Sequence, residues 1–502
     1  VSNKYSAIAL TDHGNMHGSF EFYKTAKAAG IKPIVGVEVY CARNTIKESR
    51  TKDNPTDHMV ILARNETGYK NLLKLVTKAS IEGFNYVPRV DLDMIRNHRE
   101  GLIGTSACLS GGINSYAIGE KFYNRSTKTY EYTDPNYAKA LAYADRLKNT
   151  FEEGCFYLEI QDHSTDNDMG LNQCRMESQK WMVDKQKIVT ETALKISKEL
   201  NIPLTVSNDV HYTKQSDWNA KDTLFAVRTI SKKYDPERKL TTDSDQFYLK
   251  SKAEMIDRFR DFPEAINNTV LIAEQCNLDI TVGENHIPVF DTEGQDVTKY
   301  WRNKIREGFE TKYRPGTKYR TEAVQRVKYE IEVIESMGFV SYFLMVADFI
   351  SHARSIDIPV GPGRGSAAGS IVSYCLGITQ ICPLEHKLIF ERFLNSERIS
   401  LPDIDIDFCK KRVGEVYGYA QQKYGEKNVA RIATFTSMWA RSLVRDIGKA
   451  YDLPKEEINT VASSIPEGAG EFRAKIKEQI EENELIRAHV SSSNTWKTLL
   501  DD

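Results

Sequence analysis

Residues 5–40 read YSAIALTDHGNMHGSFEFYKTAKAAGIKPIVGVEVY. An apolar strand, YSAIAL, runs into the polar turn TDHGN. A helical stretch from Phe20 to Ala29 follows, closed by Gly30, and IKPIVGVEVY is a second apolar strand. This β-α-β rhythm predicts an α/β domain. Short strands recur at HMVILA from His58, LIGTSA from Leu102, CFYLEI from Cys155 and IPLTVS from Ile202, separated by segments of helical period. Together they predict a barrel-like α/β domain.

In such barrels reactive side chains gather where strands give way to loops. Asp12 and His13 follow the first strand, Glu38 lies late in the second, Cys108 ends LIGTSA, and Asp209 with His211 closes IPLTVSNDVHY. His58 opens its own strand and fits that rule less well. Imidazole, carboxylate and thiolate form the ligand set of zinc or another divalent transition metal. Any one of these residues alone reads as an ordinary cap or core polar group; as a set they read as a site. His163 stands apart, since QDHS runs into a polar loop and nothing pairs it with the others.

Further on, helical periodicity at Val324, Val327, Ile331 and Ile334 ends near Gly338, and a second apolar helix spans Tyr342 to about Ala353. A strand from Ile358 to Val360 then enters the glycine-rich turn of IPVGPGRGSAAGS, and a run of small and apolar residues from Ala367 to Leu376 reads as a helix. Glycines at 361, 363 and 365 let backbone N–H groups approach an anion, Ser366 adds a hydroxyl, and Arg364 can pair with a phosphate. The loop has neither the Lys of a Walker A motif nor GxGxxG spacing. As a bare pattern it fits either a phosphate cradle or a tight connection.

LPDIDIDF, residues 401–408, carries the sharper signal. In a strand, Asp403, Asp405 and Asp407 share one face and Ile404, Ile406 and Phe408 the other. Three carboxylates in a row repel, so something must compensate. Divalent cations do this naturally, because oxygen ligands suit Mg²⁺.

Composition sets the outer bounds. At 502 residues the chain is long enough for about three domains. Hydrophobic residues make up 40% and charged residues 27%, and no apolar run approaches the ~20 residues of a spanning helix, so no membrane partner is expected. Eight cysteines are scattered without a CxxC pair, which favours a reducing, cytoplasmic setting. The net charge of −2 announces no nucleic acid, so DNA contact would need a local basic patch. The first residue, Val1, and a final stretch without a helix terminator suggest a fragment.

TDHGN, GVEVY, DHMVILARNETGYKNL, SACLSG and SNDVHY resemble the successive motifs of the polymerase and histidinol phosphatase (PHP) domain that opens bacterial family C polymerases. The resemblance implies a distorted barrel over residues 1–280 whose Zn²⁺ or Mn²⁺ cluster supports a phosphodiesterase or exonuclease reaction. His13, Glu38, His58, Cys108, Asp209 and His211 match its ligand positions, and an opening His-x-His pair would precede Val1. VGPGRGSAAGSIVSYCLGIT, FERFLN and LPDIDIDFC resemble the palm of the DNA polymerase III alpha family. That implies a polymerase-beta-like nucleotidyltransferase palm over 281–434 and the start of a helical thumb over 435–502.

By this resemblance Asp403 and Asp405 are the catalytic Mg²⁺ ligands, Gly365 and Ser366 bind the incoming triphosphate, and Arg364 and Arg392 contact phosphate. The third catalytic carboxylate of the family lies beyond residue 502. The implied activity is template-directed DNA synthesis by a two-metal mechanism, using dNTPs and primer-template DNA, with the sliding clamp and other replicase subunits as partners. A rival reading is a PHP-type metallophosphoesterase with an appended nucleic-acid-binding module. It accounts for residues 1–280 equally well and leaves the glycine loop and LPDIDIDF without work.

Overall fold

The computed structural model describes residues 5–501 except 52–53, 120, 125–128, 166–168, 170–172, 236–237, 239, 243, 284–285, 396–401, 436–438 and 466–482. The chain forms two compact units, residues 1–280 together with 437–502, and residues 281–436.

The first unit is a mixed α/β structure built on a seven-stranded sheet that curls into a half barrel. Its strands are β1 (Ala7–Leu10), β2 (Lys32–Ala42), β3 (Thr56–Ala63), β4 (Arg89–Val90), β5 (Leu102–Thr105), β8 (Phe156–Ile160) and β9 (Leu204–Val206). The order is β1-β2-β3-β5-β8-β9, with β4 paired to β2. A separate hairpin, β6 (Lys121–Asn124) with β7 (Thr129–Tyr132), stands outside the sheet. β2 and β8 are buried along nearly their whole length, as expected of strands covered on both faces. All six predicted strand regions of this unit appear; the short β4, β6 and β7 carry no periodic signal that would have marked them.

Helices Ser19–Ala28, Glu66–Ile81 and Tyr137–Lys148 supply apolar side chains to one core with Val37, Ile61, Leu75 and Leu158. Asn65 and Asn136 cap the second and third, accepting the N–H of Gly68 and Lys139. Residues 440–501 are helical where described, and Val444, Ile447, Val461 and Trp496 pack with Val227 of the helix Trp218–Thr229. The buried Lys233 ammonium joins the same region by donating to the Tyr451 hydroxyl at 2.7 Å.

In the second unit the helices Val297–Lys312, Arg320–Ser336 and Val340–Ser355 enclose Trp301, Ile305, Ile334 and Phe343, onto which Ile371, Val372 and Phe390 pack. Three local expectations differ here. Ile358–Val360 forms no strand beyond an isolated bridge at Val360. Residues 402–408 of LPDIDIDF do not form a ladder strand; their pairing among the described residues is one antiparallel bridge, Val360 with Phe408. The alternation holds all the same, with Ile404, Ile406 and Phe408 against the core. Aspartate's poor fit to sheet and the lack of a second neighbouring strand explain the short pairing. The run after the glycine turn is not one helix but a 3₁₀ turn, Ser366–Gly369, followed by Ile371–Cys375, because Ser370 leaves helical geometry to cap the second segment.

Among the described residues no single helix is long and apolar enough to cross a membrane. Ile61 lies fully buried at the centre of β3, so Ile61→Ala should destabilise the first unit by about 2–5 kcal/mol, read as a lower midpoint in chemical denaturation.

Candidate functional site

β1 and β2 pair in parallel with Ala7 opposite Lys32, and the same register continues past the end of β1 to bring His13 beside Glu38. Main-chain bonds lock this step, Glu38 N–H to Asp12 O at 3.0 Å and Gly14 N–H to Glu38 O at 2.9 Å. The antiparallel β2–β3 register sets Tyr40 opposite His58 and Glu38 opposite Val60. His58 therefore lies diagonally across from Glu38 on one face, within reach of its side chain.

The result is a cluster in which His13, Glu38 and His58 each offer a ligand atom, all within 4.8 Å of one another, so that these three could hold a metal ion. His58 Nδ1 contacts Glu38 Oε1 directly, and His13 Nδ1 lies 3.6 Å from Glu38 Oε2. Cys108 joins them, its Sγ 3.6 Å from His58 Nδ1 and 4.0 Å from Glu38 Oε1. The His211 ring is 6.1 Å from that of His13, and His211 Nδ1 is 3.7 Å from Asp209 Oδ1. All six predicted ligand residues thus fall in one neighbourhood, the last two at its edge. His58 sits within β3 rather than at its opening, as Glu38 sits within β2, so the paired strands themselves carry these two residues into the site.

The electrostatics suit a cation. Burial works against the Glu38 carboxylate, but the hydrogen bond from His58 and the charges of His58, His13 and His211 outweigh it and lower its pKa. Burial lowers the His13 pKa and raises that of Cys108 well above the ordinary thiol value, the latter with help from Asp209 and Glu38. Burial also pushes Asp209 up to about 6, against the pull of His211. A mixed N, O and S donor set around one buried carboxylate fits Zn²⁺ or a similar ion.

Sequence reasoning missed Glu159. It is buried on β8 and accepts from Thr105 Oγ1 at 2.5 Å, Gln161 Nε2 at 2.7 Å and Ser207 Oγ, tying together the strands that lead to Cys108 and Asp209. An acidic residue inside the apolar run CFYLEI was the available signal. His163 is buried, stacks on Phe247 at 4.0 Å, and its Nε2 meets Asn208 O at 3.0 Å.

In the second unit the glycine turn and the acidic segment are joined by main chain, Gly361 N–H to Asp407 O at 2.9 Å and Cys409 N–H to Pro359 O at 3.1 Å. Gly365 has φ +66, which favours glycine, and a Cβ there would stand 2.8 Å from Asp405 Oδ2, so a larger residue would displace that carboxylate. Ser366 opens the 3₁₀ turn. Arg364 turns toward the carboxylates, with Nη2 3.1 Å from Asp405 Oδ1 and Nε 3.7 Å from Asp407 Oδ1. The repulsion among the aspartates is therefore relieved in part by a guanidinium. Asp403 and Arg392 are exposed. Several of the basic residues after Cys409 have partners within the unit or the chain nearby: Arg412 pairs with Glu415, Arg431 covers the Tyr417 ring, and Arg441 donates to Ile465 O.

A PHP domain model matches residues 1–163, and residues 299–501 match the model of the bacterial DNA polymerase III alpha NTPase domain. A PHP-type α/β domain followed by a bacterial DNA polymerase III alpha domain is the class these matches define. Over 495 residues the chain is 41% identical to the DNA polymerase III subunit alpha of Borreliella burgdorferi, covering 97% of this chain and 39% of that protein. The subunit from Treponema pallidum is 39% identical over 466 residues (92% and 37%), and that from Helicobacter pylori 36% over 515 residues (96% and 40%). The chain belongs to the bacterial DNA polymerase III alpha family, and it spans about two fifths of the length of these relatives.

Burial, helped by the charges of Lys250 and His211, outweighs the Asn208 carbonyl and Asp162 and holds the His163 pKa down to about 3. A folded-state pKa below the unfolded value near 6.5 means that the unfolded chain binds the extra proton first. The contribution is intact above about pH 6.5 and is lost as pH falls toward 3. Denaturation of the first unit should accordingly become easier as the pH is lowered from 7 to 4, with a shallower dependence in His163→Gln.

Proposed function

We propose that this chain is part of a replicative polymerase that transfers deoxynucleotides from dNTPs to a primer 3′ end on a DNA template. Residues 1–280 serve as its PHP domain, 281–434 as a palm of the polymerase-beta-like kind, and 435–502 as the start of the thumb. The observation that carries this is the direct apposition of the glycine turn and the acidic segment, with Gly365 against Asp405. A backbone cradle for phosphate beside paired carboxylates is what phosphoryl transfer requires.

Asp403 and Asp405 would hold Mg²⁺, whose chemistry is to neutralise charge at the reacting phosphate and favour the ionised primer hydroxyl. Gly365 and Ser366 bind the triphosphate through main-chain N–H and hydroxyl groups. Arg364 exchanges its carboxylate partners for phosphate, and Arg392 makes a second phosphate contact. The sliding clamp and other replicase subunits are the expected protein partners, and the setting is cytoplasmic.

In the polymerase that carries this chain, Asp403→Asn or Asp405→Asn should reduce nucleotide incorporation by several orders of magnitude with the fold intact by circular dichroism. Near-normal incorporation by either variant refutes the assignment.

The cluster around Glu38 supports a second activity, a metal-dependent phosphodiesterase or exonuclease reaction in the PHP domain, with His13, Glu38, His58, Cys108, Asp209 and His211 as ligands. Glu38→Gln should weaken Zn²⁺ or Mn²⁺ binding by about tenfold or more in equilibrium titration, because it removes the buried negative charge the cation answers. Unchanged affinity would place the ion elsewhere.

A further inference from the structure

Glu330 lies in the helix Arg320–Ser336, is fully buried, and belongs to neither site described above. It is surrounded by donors. Arg326 Nε donates to its Oε1 at 2.7 Å, while Ser370 Oγ at 2.8 Å and Val372 N–H at 3.1 Å donate to Oε2. Ser370 Oγ in turn accepts Ser373 N–H at 3.0 Å. Arg326 extends the network with Nη2, which donates to Gly369 O at 3.2 Å and reaches Leu388 O at 3.5 Å. Its guanidinium lies 5.8 Å from the centre of the Phe390 ring.

These contacts converge on two segments. One is the exit of the glycine turn, Gly369 to Val372; the other is Leu388 to Phe390, which leads directly into Arg392. The segments are also pressed together, since a Cβ on Gly369 would stand 2.7 Å from Ile389 O. A buried ion pair is a poor source of net stability, because desolvation offsets its attraction. Its contribution here is geometric: a carboxylate that accepts from every neighbour leaves one arrangement in which all of them are satisfied.

We propose that Arg326 and Glu330 form a positioning pair that holds the glycine turn and the segment bearing Arg392 at one spacing, so that both engage the same nucleoside triphosphate. The proposal rests on the polymerase reading. Neither side chain touches substrate; they act through Gly369, Ser370 and the 388–390 backbone. Glu330→Gln places an amide donor among donors, and Arg326→Lys keeps the charge but cannot bond Glu330 and Gly369 O in the same fork geometry.

The test is steady-state primer extension by the polymerase that carries this chain, with dNTP varied at saturating primed template. Both variants should raise the KM for dNTP about tenfold or more, with a smaller change in kcat and unaltered primer-template affinity by fluorescence anisotropy. An unchanged KM, or a fall in kcat alone, overturns the proposal. Should Glu330→Gln fail to fold, Arg326→Lys decides on the same readout, since Arg326 is only partly buried. Failure of the polymerase reading is recognised separately, by Mg²⁺-dependent incorporation that survives Asp405→Asn.

Discussion

A carboxylate taken out of water must be answered by donors or by positive charge, and that requirement shapes each unit of this protein. In the first unit the demanding group is Glu38, buried on β2 and met by His13 and His58. In the second unit Glu330 is satisfied by Arg326, Ser370 and the Val372 amide, while the more exposed Asp405 and Asp407, which repel each other, share Arg364. An apolar residue at any of these places would relieve the electrostatic cost and remove the reason for the surrounding side chains to point where they do.

The answer to each charge is delivered by backbone pairing. His13 reaches Glu38 because the parallel β1–β2 register runs on beyond the strand, and His58 reaches it because the β2–β3 register is diagonal at that point. A one-residue slip of β3 would turn His58 to the opposite face and leave Glu38 with half its partners. In the second unit the Val360–Phe408 bridge does the equivalent work, bringing the glycine turn up to the acidic segment so that a Cβ on Gly365 would stand 2.8 Å from Asp405 Oδ2. Local geometry and site chemistry are thus two consequences of the same pairings.

The rhythm YSAIAL–helix–IKPIVGVEVY was enough to determine an α/β unit, because apolar runs of strand length separated by helical period leave few other ways to bury their surface. TDHGN, SNDVHY and LPDIDIDF likewise marked candidate ligands, since histidine and carboxylate at the ends of such runs have little value as core. Glu330 was in principle legible too: it falls between Val327 and Ile334 on the apolar face of its helix, where an acidic residue needs an explanation. What the linear pattern could not supply was distance. That Arg364 faces Asp405, that LPDIDIDF pairs by a single bridge, that Val444 and Ile447 pack with Val227 of the helix Trp218–Thr229, and that Glu159 ties β5 to β9 all depend on contacts between segments far apart in the chain. Such contacts are selected by the packing and hydrogen bonding of the whole unit, and only the tertiary structure decides them.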